Sequence, residues 1–545
     1  MNTHVRAEEA QGAVLDAAHV GNIRGALGTI LQHDTGPRES WKARLRTLMA
    51  IIGPGLIVMV GDNDAGAFGT YTQAGQNYGT ALLWTLLLLV PVLYVNQEMV
   101  LRLGAVTGVG HARLIFERFG KFWGAFSVID LFLLNALTIV TEFIGIALGL
   151  SYLGVPKELG VALSAVAIMG AVSTGDFRRF ERFALALVAG SLVLIPVFVM
   201  AHPPMGEVAR DFFIPRLPEG GKLSEVMLLI IAIVGTTVAP WQLFFQQSYV
   251  IDKRITPRFI QYERVDLWLG IVLVVIGAVA MMAFTAAVFA GRPEFGAFTD
   301  AAAVAKGLQT HSGRIAGVLF AIGLIDASII GASAVSLSTA YAIGDVFSMS
   351  HSLHRKPQDA KGFYAVYAAL IIIAAGVVLT PGAPLGLLTN AVQTLAGVLL
   401  PSATVFLLLL CNDEAVLGPW VNGRAANLFT GAVIAVLVIM SVILTASVLF
   451  PEQTDETMIL AILAGGVVLA VVAAFVTGAT RPSSGHERET GPLNNKSLWR
   501  MPALAKLPPA QLSKASRLWM GVLRAYLVLA GGLVLARIIA LAVNA

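Results

Sequence analysis

Residues 53–68 read Gly53-Pro54-Gly55-Leu56-Ile57-Val58-Met59-Val60-Gly61-Asp62-Asn63-Asp64-Ala65-Gly66-Ala67-Phe68. An apolar run that could cross a bilayer as a helix is broken here by glycines, a proline and three consecutive polar residues. A second run has the same character: Ile233-Val234-Gly235-Thr236-Thr237-Val238-Ala239-Pro240-Trp241-Gln242. In hydrocarbon, backbone groups released from a helix are costly unless protein or a water-filled cavity satisfies them. Each break therefore implies a cavity built for an ion or a substrate. Asp64 at the first break is an ionisable group at membrane depth, which marks a functional position in its own right.

The rest of the chain supports a membrane setting. Of its 545 residues 57% are hydrophobic and 13% charged, against roughly 25% charged in an average soluble domain. Thirteen apolar segments approach the roughly 20 residues needed to span the hydrocarbon. They lie near 47–78 (interrupted), 80–103, 123–152, 158–175, 181–202, 224–251 (interrupted), 265–290, 314–346, 363–381, 386–411, 426–450, 457–478 and 518–543. Lys and Arg alternate between the intervening loops, 28 on the side of the N-terminus against 7 on the other. By the positive-inside rule this predicts a cytoplasmic N-terminus and a multi-pass protein of the cell membrane. The first 45 residues are polar and show no secretory signal. Cys411 stands alone, so no disulfide framework or paired-cysteine metal site is expected. The nine histidines, His4, His19, His33, His111, His202, His311, His351, His354 and His486, all fall in tails or loops. That pattern argues against a buried imidazole metal site and against a histidine proton relay.

The two breaks fall in segments one and six, so five segments separate equivalent positions. An odd number of spans per half inverts the second half in the membrane, and inverted repeats with broken helices at matching positions mark a class of secondary transporters. The predicted organisation is a cytoplasmic tail (1–45), a first five-helix repeat (46–202), an outer loop (203–223), a second, inverted repeat (224–411), additional helices (412–478), a cytoplasmic linker (479–517) and a C-terminal helix (518–545). Other acids in or near the spans need an account. Asp62 and Asn63 flank the first break and could line a path, whereas Glu98, Asp130 and Asp326 read as paired structural or cavity-lining groups. Glu142 reads equally as a vestibule group or one half of a structural pair.

These residues also carry a resemblance. The run from Gly53-Pro54-Gly55 to Gln73-Ala74-Gly75, the stretch Glu142-Phe143-Ile144-Gly145, the tetrad Ala239-Pro240-Trp241-Gln242 and the stretch from Gln393 to Pro401 resemble the first, third, sixth and tenth helices of the Nramp divalent-metal transporters. The resemblance covers roughly 45–450. It implies an all-α, LeuT-like fold of two inverted five-helix repeats with discontinuous helices 1 and 6, plus extra C-terminal helices. It also implies a divalent cation substrate, with Asp64 as primary ligand, directly or through a water. Gln242 would give an amide oxygen, and Gly61 and Thr236 would give unwound carbonyls. The hydroxyls of Thr236 and Thr237 would be further ligands, and Gln393 a polar contact.

The departures from that pattern are informative. The family's Asp-Pro-Gly-Asn is here Asp64-Ala65-Gly66-Ala67, and Ala239 stands where the family has a metal-binding Met. A thioether suits transition metals better than hard alkaline-earth ions. Its loss, with Ala67 and Ala239 leaving room, fits Mg²⁺, which keeps several waters and takes one or two carboxylates. In this the chain resembles the Nramp-related magnesium transporters. The family's acid three positions before Glu142 is here Ile139, and its sixth-helix histidines are here Trp241 and Gln246. An acid–base chain is largely missing, so uncoupled movement of Mg²⁺, with Mn²⁺ as a further cargo, is expected. Two charges falling through roughly 100 mV gain about 4.6 kcal/mol, enough to drive uptake.

Three rivals remain at this stage: a proton-coupled Mn²⁺/Fe²⁺ transporter of the ordinary Nramp kind, a carrier of organic substrates on the same fold, and an intramembrane enzyme. A carboxylate at the break would repel an amino acid's carboxylate, and neither an HExxH nor a GxSxG motif is present. The expectation is a transporter that is not an enzyme, works as a monomer in the lipid bilayer, holds no cofactor beyond the transported ion and binds no nucleic acid.

Overall fold

The computed structural model describes residues 15–382, 385–479, 493–510 and 514–543. A helix occupies each of the thirteen predicted segments. Among the described residues ten helices are long and apolar enough to cross a membrane, or up to twelve if each sharply bent pair is one span. The first span is assembled from Pro54–Val60 and Ala65–Tyr78, and the sixth from Leu223–Thr237 and Pro240–Asp252. Between them run Trp84–Thr107, Lys121–Tyr152, the short Lys157–Val172 and the bent Phe177–Ala201 as spans two to five. Ile260–Phe289, Arg314–Val346, Lys361–Leu379 and Leu385–Cys411 are spans seven to ten. Arg424–Leu449, Glu456–Ala479 and Lys514–Val543 follow.

The packing carries the inverted repeat. The first span packs against the seventh and the sixth against the second, while the third packs against the eighth. Exchanging each span with its equivalent five places along converts the first of these pairs into the second and leaves the third unchanged. The two halves are therefore built alike, as the spacing of the breaks predicts.

The Gly53-Pro54-Gly55 motif corrects one reading. It lies at the N-terminal end of the span rather than at its middle, where helix Trp41–Ile51 meets Pro54–Val60 at 51°. Asp266 of span seven caps the new helix start, its carboxylate accepting the N–H groups of Gly53 (3.0 Å) and Gly55 (2.7 Å). Lys253 donates to the carbonyls of Ile51 (2.6 Å) and Ile52 (2.7 Å) and pairs with Glu181 at 2.6 Å. Both charges of that pair are fully buried. Breaking one partner of such a pair costs about 3–5 kcal/mol, so the bend is firmly held.

From residue 15 onward the tail is ordered against the helices. Residues Ile23–Gly25 and Gly28–Ile30 form an antiparallel hairpin. Its turn donates the Ala26 N–H to Glu181, and its first strand lies on helix Trp41–Ile51. A Cβ on Gly25 would stand 2.0 Å from the Ala50 carbonyl oxygen, so only glycine permits this approach. Asp16 pairs with Arg355 at 2.6 Å, and His19 Nε2 approaches the His351 carbonyl at 3.1 Å. The N-terminal face is thus closed by a strap of tail residues over spans one and five.

Candidate functional site

At the first break the helix hands its hydrogen bonds to side chains. A continuous helix would give the Ala65 N–H to the Gly61 carbonyl. Here it goes to Glu142 Oε2 of span three, at 3.1 Å. Asp64 serves as the N-cap of the following half-helix, its Oδ1 accepting the Ala67 N–H at 2.9 Å. The Gly61 carbonyl is left without its helical donor. At the second break the cause is in the sequence: the residue four places after Thr236 is Pro240, which has no N–H. The Thr236 carbonyl is released in the same way, and the chain resumes helix at Pro240.

The two breaks share a cavity of about 50 Å³. One water needs roughly 10–15 Å³ of such space, so the cavity holds several. Asp64 and Gly66 line it from the first span, and Thr138, Thr141 and Glu142 from the third. Gly235, Thr236, Ala239 and Trp241 line it from the sixth, and Thr389 from the tenth. Gly331 of span eight backs the Glu142 carboxyl and the Asp64 stem; a Cβ there would stand 2.8 Å from Glu142 Oε2 and 3.1 Å from the Asp64 Cβ.

The lining is rich in acceptors. Thr138, Thr141 and Thr389 each donate their hydroxyl hydrogen to the carbonyl four residues back, at 2.9, 3.3 and 3.0 Å. Only their oxygen lone pairs remain for the cavity. Two carboxylates and the Thr236 hydroxyl complete a set of oxygens, and no Lys, Arg or His lines the space. Among the described residues no set of three or more His, Cys, Asp or Glu converges to grip a metal ion. Such a cavity suits a cation that arrives with water: the ion faces the water oxygens, and the water hydrogens face the acceptors.

The predicted ligands divide accordingly. Asp64 and Thr236 reach the cavity, Ala239 leaves it wide on the side of span six, and Glu142 lines it while also holding the break. Gln242 does not reach it. Its Nε2 is bonded to Asp62 Oδ1, and its Oε1 accepts from Gln97 Nε2 at 3.0 Å. The amide is spent tying span six to Asp62 of span one and Gln97 of span two, and neither Gln242 nor Asp62 lines the cavity. Thr237 is likewise engaged, donating to the Ile233 carbonyl and meeting the Tyr71 hydroxyl, both at 2.6 Å. Gly61 and Ala67 are not among the residues that line it. The side chain of Gln393 lies outside the described residues. Of the other acids, Glu98 is paired, with Arg264 at 2.6 Å and Arg102 at 3.2 Å, while Asp326 Oδ2 is buried without a partner. Sequence reading passed over Thr138, Thr141 and Thr389. Thr141 and Glu142 stand three and four residues after Thr138, the spacings that bring each beside it on the helix surface.

Two half-helix breaks facing one cavity, in halves related by exchange of five spans, define the LeuT-like fold of secondary transporters. Residues 55–447 match the model of the Natural resistance-associated macrophage protein-like family, Nramp, and the chain belongs to that family. It is 30% identical over 427 residues to the divalent metal cation transporter MntH of Ralstonia nicotianae, covering 75% of this chain and 92% of that one. Among solved structures, a mutant of the Eremococcus coleocola manganese transporter superposes with a TM-score of 0.61 at 18% identity, over 83% of this chain and 96% of that one. A Na⁺-coupled sialic acid symporter in an outward-open state superposes with a TM-score of 0.51 at 15% identity, over 76% and 87% of the two chains. Both share the fold.

Proposed function

We propose that this protein carries divalent cations across the cell membrane, Mg²⁺ above all and Mn²⁺ to a lesser degree. The ion is bound partly hydrated between the broken helices and moved by alternating access without a coupled proton. The family and the MntH relatives supply the class of substrate. The observation that carries the choice of ion is the cavity of about 50 Å³, lined by oxygen acceptors and by Ala239, with no sulfur or imidazole. A hard ion that sheds water reluctantly is satisfied by such a surface, whereas a transition-metal site would offer a soft ligand.

With the N-terminus cytoplasmic, Leu223–Thr237 and Ala65–Tyr78 are the outer half-helices, and the cavity lies among them. The inner half-helix Pro240–Asp252 is buried along its whole length. The protein works as a monomer in this account.

A second reading is favoured by one observation. Glu142 and Asp64 share the cavity, and two carboxylates side by side could trade a proton as the metal binds, as in a proton-coupled Mn²⁺/Fe²⁺ carrier. Uptake of Mn²⁺ into proteoliposomes, with Mg²⁺ added in large excess, separates the two. The hydrated-ion site predicts strong competition by Mg²⁺; Mn²⁺ uptake indifferent to Mg²⁺ would favour the second reading.

A further inference from the structure

Below the ion cavity lies a second, smaller one of about 10 Å³, close to the space of a single water. Leu134 lines both, so the two are stacked along span three. Asp130, twelve residues before Glu142 and so about 18 Å along the helix, points into the lower one. Its other walls come from Ile115, Ser127, Pro240, Phe244 and Ser402, with the apolar Leu131, Ala403 and Phe406. Asp130 Oδ1 is buried without a hydrogen-bond partner, and Oδ2 is 3.4 Å from Ser402 Oγ.

Counting hydrogens decides what the site holds. The Ser402 hydroxyl has one hydrogen, and it goes to the Leu399 carbonyl at 2.8 Å. The contact between Ser402 and Asp130 then lacks a hydrogen unless Asp130 supplies it. Ser127 has likewise given its hydrogen to the Gly124 carbonyl, at 2.9 Å. No Lys, Arg or His lines the cavity, and a bare carboxylate among apolar walls is costly. A hard metal ion would want about six oxygen ligands, and one carboxyl with two hydroxyls falls well short. A proton needs only one oxygen.

We propose that Asp130 is a proton-binding site, charged with a proton while Pro240–Asp252 is packed down and exchanging it with the N-terminal, cytoplasmic face when that half-helix moves. A group that exchanges with one compartment alone tunes the rate of transport by the pH there and carries no proton across. This rests on the transport reading above.

Other titratable groups around the cavity are accounted for, among them Arg524 of Lys514–Val543, whose guanidinium lies over the Phe122 ring of span three at 3.7 Å. Neither Pro240–Asp252 nor Leu385–Cys411 brings one to the wall, and span three brings only Asp130. Helix His111–Phe119 contributes Ile115; its Arg113 is paired with Glu117 at 2.8 Å and its Arg118 with Asp413 at 2.7 Å. His111 packs edge-on against Phe244, with ring centroids 4.8 Å apart, and its Nδ1 meets Gln247 Oε1 at 3.0 Å. It is the control.

Two measurements test the proposal on the full-length protein. In proteoliposomes, Mg²⁺ uptake is followed while the pH facing the N-terminal side is varied from about 5 to about 9. The rate of the wild type should change several-fold, that of Asp130→Asn should be flat, and His111→Gln should keep the wild-type profile. A flat wild type, or an Asp130→Asn profile like that of the wild type, overturns the proposal. The second needs no transport: the infrared C=O stretch of a protonated carboxyl, recorded on detergent-solubilised protein at neutral pH. A band present in the wild type and missing in Asp130→Asn supports the site; spectra that do not differ sink it. Should Asp130→Asn fail to fold, Asp130→Ser takes its place in both. Failure of Mg²⁺ uptake in every variant, wild type included, would count against the transport reading and leave the infrared result to decide the proton site.

Discussion

Glu142 Oε2 takes the Ala65 N–H at 3.1 Å, so a carboxylate of span three does the work that the Gly61 carbonyl would do in an unbroken helix. This contact keeps the first span open next to Asp64. Removing it in Glu142→Ala orphans a buried N–H, at a cost of about 1–3 kcal/mol. Glu142→Gln keeps an acceptor and loses the charge. The alanine variant should therefore lower both the melting temperature and uptake. The glutamine variant should melt near the wild type while uptake falls at least tenfold. Thermal unfolding in detergent beside a transport assay reads the split.

A side chain at Gly331 would collide with the Glu142 carboxyl and the Asp64 Cβ. In Gly331→Ala the added carbon presses on Glu142 and on the Asp64 stem, and overpacking of this kind costs about 1–3 kcal/mol. The expected result is cation affinity reduced about tenfold or more, read by isothermal titration, with a smaller effect on melting.

Ala239 leaves its side of the cavity without a donor atom. Ala239→Met places a flexible thioether there, which binds soft ions and takes up room for water. The variant should favour Mn²⁺ and Cd²⁺ over Mg²⁺, visible as Mn²⁺ uptake that excess Mg²⁺ no longer suppresses.

The N-terminal face carries a pH dependence of stability. Burial lowers the His351 pKa, but the Asp345 carboxylate, 2.8 Å from its Nε2, overrides it together with the Met349 carbonyl and Asp16, and the imidazole is raised to about 9. A raised folded-state value means that the stabilisation is fully present below the unfolded value of about 6.5 and is lost as pH rises through about 9. The shift corresponds to about 3 kcal/mol. Melting temperature should fall across that window in the wild type, and the fall should be much shallower in His351→Gln.

The fold was largely legible because its determinants are local. Gly61 to Asp64 and Pro240 break helices by their own chemistry, and their spacing by five spans implies the inverted repeat. Asp64, Thr236 and Ala239 line the cavity, and each also sits at a break that the sequence shows. Gln242 was misread because its partners, Asp62 and Gln97, come from other spans, and sequence spacing does not show that an amide is already engaged. Thr138, Thr141 and Thr389 were missed because a threonine on an apolar helix face looks like filler until the cavity is seen. The order of the tail was not legible, because the close approach of Ala50 to Gly25 and Gly28 comes from a different segment of the chain.

The central claim is that Asp64, in a roomy acceptor-lined gap, binds a divalent ion with its water and passes it without a proton. It is tested most directly by reconstituting the wild type and Asp64→Ala into liposomes loaded with a Mg²⁺-sensitive dye and, in parallel, a pH-sensitive dye. The account predicts Mg²⁺ influx driven by an inside-negative potential, an unchanged internal pH, and no influx through Asp64→Ala. Acidification in step with the metal, or Mg²⁺ influx that survives the substitution, would contradict it.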